Sequence, residues 1–159
     1  MNNEQEKTMQ PLSPQAPACS VSEIVQVLRM ENVNGAGRAF GGHLLTWMDE
    51  VATVSARRYA HGPVTTACID GVRFLCPAYQ NETMVVTGRV VWTGRTSMEV
   101  LVSAEVEQFD GARKKIADGR FVMVALDEAE RPRPVPPICP MTEAEQSLYQ
   151  EALERRAKR

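Results

Sequence analysis

The chain has 159 residues, room for one domain with one core and not for two. At 43% hydrophobic and 24% charged it has the composition of an ordinary soluble globular protein, and its net charge of -2 gives no general basic field for nucleic acid. Any anionic ligand has to be held by a few local arginines.

Residues 1 to about 19 are polar and proline-bearing without periodicity, and a mobile tail is expected there. Over 21–30, Val21, Glu23, Val25 and Val27 alternate with Ser22, Ile24, Gln26 and Leu28, which suggests a strand partly buried on both faces. A glycine-rich loop follows. From Gly42 to about Ala60 apolar residues recur at helical spacing, and Gly62 and Pro63 stop the run.

Everything after that helix reads as strand, over 64–75, 83–94, 97–109 and 115–127. Gly71 marks a bulge or a close approach in the first of them. Gly94-Arg95-Thr96 closes a hairpin, and residues 109–113 turn into the last strand. Met98, Val100, Val102, Ala104 and Val106 alternate with Glu99, Leu101, Ser103, Glu105 and Glu107, one buried and one partly wet face. A proline-rich connector, 130–140, leads to a final helix. There Thr142 and Glu145 form a capping box and the cationic end suits the helix dipole. The order predicts an α+β fold, an antiparallel β-sheet wrapped around one long central α-helix plus a short C-terminal helix. The division is a tail over 1–19, a folded body over 20–135, and the connector with its helix over 136–159. A single sheet covers one side of so apolar a helix, so homo-oligomerisation is expected.

Cys19, Cys68, Cys76 and Cys139 are scattered, and neither His43 nor His61 stands at zinc-ligand spacing with them. No metal or other cofactor is expected. Neither a secretory leader nor an 18-residue apolar run is present, so a cytoplasmic protein with reduced thiols and no membrane partner is expected. Cys68 and Cys76 read as small core residues.

On a helical wheel the apolar arc of the long helix holds Val54, Trp47, Val51, Leu44, Met48, Ala52, Leu45 and Ala56, and Glu50 lies opposite. Asp49 falls at the boundary, where half-burial can tune a carboxylate into a general base. Gly41 and Gly42 stand at the helix start, where unpaired backbone N–H groups favour negative charge and missing side chains admit a ligand oxygen. That is an oxyanion-hole geometry. Asp49 lies about two turns further on, roughly 10 Å along the axis. One chain cannot easily serve one ligand atom from both places, but two antiparallel helices in a dimer can.

The stretch from Asn34 to Glu50, with Gly37, Phe40-Gly41-Gly42 and Trp47-Met48-Asp49-Glu50, resembles the active-site region of the hotdog-fold acyl-CoA thioesterases, their YciA-like and cytosolic acyl-CoA hydrolase branch. Residues 64–77 and 90–100 continue the resemblance, which spans about residues 21–135. It implies a hotdog fold, hydrolysis of acyl-CoA to free acid and CoA, dimers with a continuous sheet and shared active sites, and often hexamers built as trimers of dimers. By the same resemblance Asp49 is base or nucleophile, Asn34 positions water or thioester, and backbone N–H groups around Gly42 and His43 polarise the carbonyl. Arg95, Thr96 and Ser97 match the turn near the CoA phosphates, with Arg73 a weaker phosphate candidate. Phe40 and Gly41 border the substrate. A thiolate leaving group needs little acid assistance, so one base and one oxyanion hole suffice.

Two departures stand out. Cys76 precedes Pro77 where many relatives carry lysine, and His43 occupies a position often held by another residue. Acyl chain length is left open by Trp47, Met48, Phe74 and Met98. The sequence has no Gly-x-Ser-x-Gly and no phosphate-binding or dinucleotide fingerprint. The competing readings are a non-catalytic acyl-CoA-binding sensor and a hydrolase of acyl-carrier-protein thioesters.

Overall fold

The computed structural model describes residues 12–158. Its strands are β1 (Ser22–Val27), β2 (Val64–Phe74), β3 (Thr83–Thr93), β4 (Ser97–Glu107) and β5 (Arg113–Ala125), and its α-helices α1 (Gly41–Ala60) and α2 (Glu143–Ala157). The strands form one sheet in the order β1-β3-β4-β5-β2, with antiparallel neighbours throughout. The α+β architecture therefore stands as the periodicity implied it.

Alternation fixes which face of the sheet receives α1. Met98, Val100, Val102, Ala104 and Val106 of β4 are all buried, and they meet Leu44, Met48, Val51, Ala52 and Ala56 of α1 in one core. Gly88 of β3 sets how closely the two layers approach. A Cβ there would lie 2.7 Å from Val51 Cγ1 and 3.0 Å from Ser55 Oγ, so the helix sits on bare backbone. Gly71 has φ +60°, and the β2–β5 register shifts between Asp70 and Arg73, which makes the expected bulge real.

Several details differ from the sequence reading. α1 ends on His61, whose φ of 53° takes the left-handed position expected of a glycine. Gly62 instead makes room for Arg133, whose Nη2 would lie 2.6 Å from a Cβ and which donates to Ala60 O at 2.6 Å. Cys68 is exposed, because β2 is a sheet edge with no neighbour on its outer side among the described residues, while Cys76, beyond the end of β2, is half-buried against the core. Glu99 was expected on a wet face but is only 6% exposed, because α2 covers it.

The first part of the expected tail, residues 1–11, lies outside the described residues. From Gln15 onward the chain is packed. Gln15 N–H donates to Pro137 O at 2.9 Å, its carbonyl accepts from Cys139 N–H at 2.8 Å, and the buried Ser20 Oγ accepts from Val90 N–H at 2.9 Å. At α2 the capping box is present: Thr142 Oγ1 accepts from Glu145 N–H at 3.2 Å, and Glu145 Oε2 accepts from Thr142 N–H at 3.2 Å.

Candidate active site

α1 begins on Phe40 with no side-chain cap, and the N–H groups of Gly41, Gly42 and His43 find no acceptor among the described residues. Three donors at the positive end of a 20-residue helix remain for an incoming oxygen. The glycines also have a packing reason that the sequence did not disclose. A Cβ on Gly42 would come 2.6 Å from the Phe40 ring, and one on Gly41 would come 3.4 Å from the Phe74 ring. Two half-exposed aromatic rings therefore border the helix start.

In front of it lies a cleft of about 320 Å³, lined by Asn34, Arg38 and Gly41 on one side and by Phe74, Cys76 and Ile116 on the other. Leu44 and Ala78 are among its apolar lining. The loop that brings Asn34 here is tied to the segment after β2, through Ala39 N–H to Ala78 O at 2.7 Å. Asn34 Oδ1 accepts from Ala36 N–H at 2.9 Å and from Arg38 N–H at 3.2 Å. The carbonyl end of the amide is thus consumed in holding the loop, and its NH₂ end keeps two donors for a ligand. Asn32, the other asparagine of the loop, accepts from Arg29 N–H at 3.0 Å and does not line the cleft. The family resemblance singles out Asn34, and the structure places that residue on the cleft.

Asp49 is half-buried and Glu50 exposed, as the wheel predicts. A partner that sequence reasoning missed holds the carboxylate: Thr66 Oγ1, on β2, donates to Asp49 Oδ1 at 2.8 Å. The only signal for it was a threonine early in the strand after α1. Asp49 is not among the residues lining the Asn34 cleft.

The remaining candidates divide. Arg95 is exposed on the β3–β4 hairpin, pinned by Val135 N–H donating to Arg95 O at 3.0 Å and Ala125 N–H donating to Thr96 O at 3.0 Å. Ser97 closes the turn by accepting Gly94 N–H at 2.8 Å, and none of the three lines the cleft. Arg73 is not a free phosphate ligand. Its fork is filled by Asp118, at 2.9 Å from Nε and 2.8 Å from Nη2, and this bidentate pair raises the arginine pKa. His43 packs edge-on against Phe40, ring centroids 5.4 Å apart, with its Nδ1 buried and without a hydrogen-bond partner among the described residues. Of the residues weighed for chain length, Phe74 lines the cleft, Met48 and Met98 are wholly buried in the core, and Trp47 borders a separate polar cavity. Among the described residues no group of three or more His, Cys, Asp or Glu could hold a metal ion.

The family profile of the thioesterase superfamily matches residues 36–110. The acyl-CoA thioester hydrolase YkhA of Bacillus subtilis, itself uncharacterised, is 34% identical over 90% of this chain and 85% of its own. A hexameric acyl-CoA thioesterase crystallised in its apo form superposes with a TM-score of 0.88 at 34% identity, covering 92% of this chain and 95% of that one. An acyl-CoA hydrolase from Staphylococcus aureus, solved with butyryl-CoA and CoA, superposes with a TM-score of 0.87 at 28% identity over 91% of this chain and 88% of that one. It has also been solved with an aspartate, an asparagine and a threonine each replaced by alanine. Those three positions run asparagine, aspartate, threonine at intervals of 15 and 17 residues, the intervals that separate Asn34, Asp49 and Thr66 (49 − 34 and 66 − 49).

Proposed function

The chain belongs to the thioesterase superfamily, and from that premise we propose that it hydrolyses the thioester of an acyl-CoA to the free acid and CoA. The observation that carries the assignment of roles is the Thr66–Asp49 hydrogen bond, 2.8 Å, at the spacing of residues singled out in the S. aureus hydrolase. A carboxylate held by a hydroxyl on a neighbouring strand is oriented, half-desolvated and acceptor-only, which suits a general base or a nucleophile.

In the proposed mechanism the thioester carbonyl lies in the cleft against the N–H groups of Gly41, Gly42 and His43, and Asn34 donates to the same oxygen or to the attacking water. These donors meet negative charge as it develops on the carbonyl oxygen. Asp49 takes the proton of that water, or attacks the carbonyl itself, and the CoA thiolate leaves without a dedicated acid. Arg95, with Thr96 and Ser97 beside it, meets the CoA phosphates.

Asp49 comes from the partner subunit. The outer edge of β2 is unpaired among the described residues, and Ile69, at the midpoint of Val64–Phe74, is 41% exposed. An isologous antiparallel pairing of β2 with a second β2 about that midpoint sets Thr66 of one chain opposite Val72 of the other, two residues from Phe74. Phe74 borders Gly41, so Asp49, tied to Thr66, is carried to the partner's oxyanion donors. The hexameric relative and the expected trimer of dimers are consistent with this pairing as the smallest working unit.

The test follows thiol release from acyl-CoAs of two to sixteen carbons with a disulfide reagent, comparing the wild type with Asp49→Asn. Turnover lost in the variant at unchanged oligomer mass supports the reading. Binding of acyl-CoA without turnover at any length assigns the chain to the sensor class instead. Turnover confined to acyl-carrier-protein substrates assigns it to that thioesterase class.

A further inference from the structure

The basic end of α2 is not used by the reaction above, and its one expected role was to complement the helix dipole. In the structure it reaches the outer face of the sheet. Arg155 Nη2 donates to Glu99 Oε1 at 2.5 Å, while Arg156 Nε and Arg120 Nε stand 3.8 and 4.0 Å from the same carboxylate. Arg156 also stacks on Trp92, its guanidinium carbon 3.4 Å from the ring centroid. Beside them opens a cavity of about 350 Å³ lined by Asp70, Glu99, Arg155, Arg156 and Lys158.

One carboxylate does not satisfy this set of donors. The Nε atoms of Arg120, Arg155 and Arg156 are all buried and have no hydrogen-bond partner among the described residues, and two of them face Glu99 from beyond hydrogen-bond length. Glu151 reaches Arg155 only at 3.8 Å and is largely exposed. With Lys158 the cations outnumber Glu99, Asp70 and Glu151, and α2's own C-terminal dipole offsets about half a charge. A buried N–H without an acceptor is costly, and three in one cluster next to an open cavity mark a place for an acceptor-rich anion.

We propose that this cavity binds a phosphate-bearing anion, held by Arg155, Arg156 and Lys158 of α2 with Arg120 behind them. Guanidinium forks match phosphate oxygens in pairs, and the stack on Trp92 fixes one fork in place. The phosphates are those of the substrate's CoA half or of a separate small molecule. Both present the same chemistry to the cavity.

The test is calorimetric titration of the intact oligomer with inorganic pyrophosphate, for the wild type, Arg156→Gln and Lys158→Ala. The Lys158 side chain has no hydrogen bond or ion pair among the described residues, its backbone N–H alone donating to Arg156 O, so its variant leaves the docking of α2 intact. Saturable binding that weakens about tenfold or more in both variants is expected. Absence of binding to the wild type overturns the proposal, as does unchanged binding in Lys158→Ala. A second readout separates the sources. If Lys158→Ala raises KM for an acyl-CoA but not for the S-acyl-pantetheine lacking the nucleotide, the bound phosphates are the substrate's. If both KM values are unchanged while pyrophosphate binding is lost, the cavity serves a separate phosphate-bearing ligand. Calorimetry needs no turnover, so failure of the hydrolase reading leaves this test readable.

Discussion

Thr66→Val is the sharpest perturbation of the proposed base. Valine keeps the β-branched shape that suits β2 and deletes only the hydroxyl that donates to Asp49 at 2.8 Å. Hydrogen bonds to charged groups are worth about 1.5–3 kcal/mol, so full loss would slow the reaction about 10- to 150-fold. Both partners are half-buried, and water can replace part of the lost interaction, which places the expected fall near tenfold. The loss should fall on kcat with KM little changed, because the hydroxyl orients the base and does not hold the substrate. Thr66→Ser retains the donor and should retain most of the activity. Steady-state thiol release, with a thermal melt of each variant, measures both effects. Wild-type kcat in a folded Thr66→Val would refute the idea that this hydrogen bond positions the carboxylate.

Three further outcomes are expected. Gly88→Ala should lower stability by about 1–3 kcal/mol in a thermal melt, since its Cβ would press on Val51 at 2.7 Å and α1 cannot retreat without opening the core. Tyr59 is wholly buried, and burial, with the nearby Cys19 and Cys139 adding to it, holds its hydroxyl pKa well above the ordinary value near 10. The folded state therefore keeps a proton that the unfolded chain gives up, so stability present below about pH 10 declines as pH rises further. Melts from pH 8 to 11 should show that decline, and Tyr59→Phe should flatten it while losing the hydrogen bonds to Pro137 O at 3.1 Å and Gln15 O at 3.3 Å. Ile69→Cys in a background with the exposed Cys19, Cys68 and Cys139 replaced by serine should give a cross-linked dimer under mild oxidation if β2 pairs with β2 about its midpoint, and only monomer on a non-reducing gel if it does not.

The sequence made the core legible because its period is local. Five alternating residues of β4 and the apolar arc of α1 each declare a face without reference to anything distant, and the structure buries those faces together. The capping box of α2 is equally local, four residues that satisfy one another. What the sequence withheld depends on neighbours far along the chain. Glu99 reads as solvent-facing until α2, with Arg155 56 positions later, covers it. Cys68 reads as core until the strand order puts β2 at the edge, and alternation cannot show strand order. Arg73 offered itself as a free cation because Asp118, 45 residues on, is visible only through the β2–β5 register.

At the site, the helix-start glycines were legible by their position and Asp49 by its place on the wheel, while Asn34 was legible only through the family resemblance. Thr66 was not, because its role arises where an edge strand crosses a helix. The packing reason for Gly41 and Gly42 was hidden in the same way, since nothing in the sequence says that the Phe74 ring lies beside the helix start.

The proposed active site takes Asp49 from one subunit and Asn34 with the helix-start donors from the other. Mixing Asp49→Asn with Asn34→Ala after joint unfolding and refolding tests it most directly, since each variant alone should be inactive. Random pairing makes about half the dimers mixed, each with one intact site of two, so thiol release should recover to about a quarter of the wild-type rate. Recovery to that level at wild-type KM is the predicted result. A mixture as inactive as its parents, with mixed dimers shown by mass to have formed, would contradict a site shared between subunits.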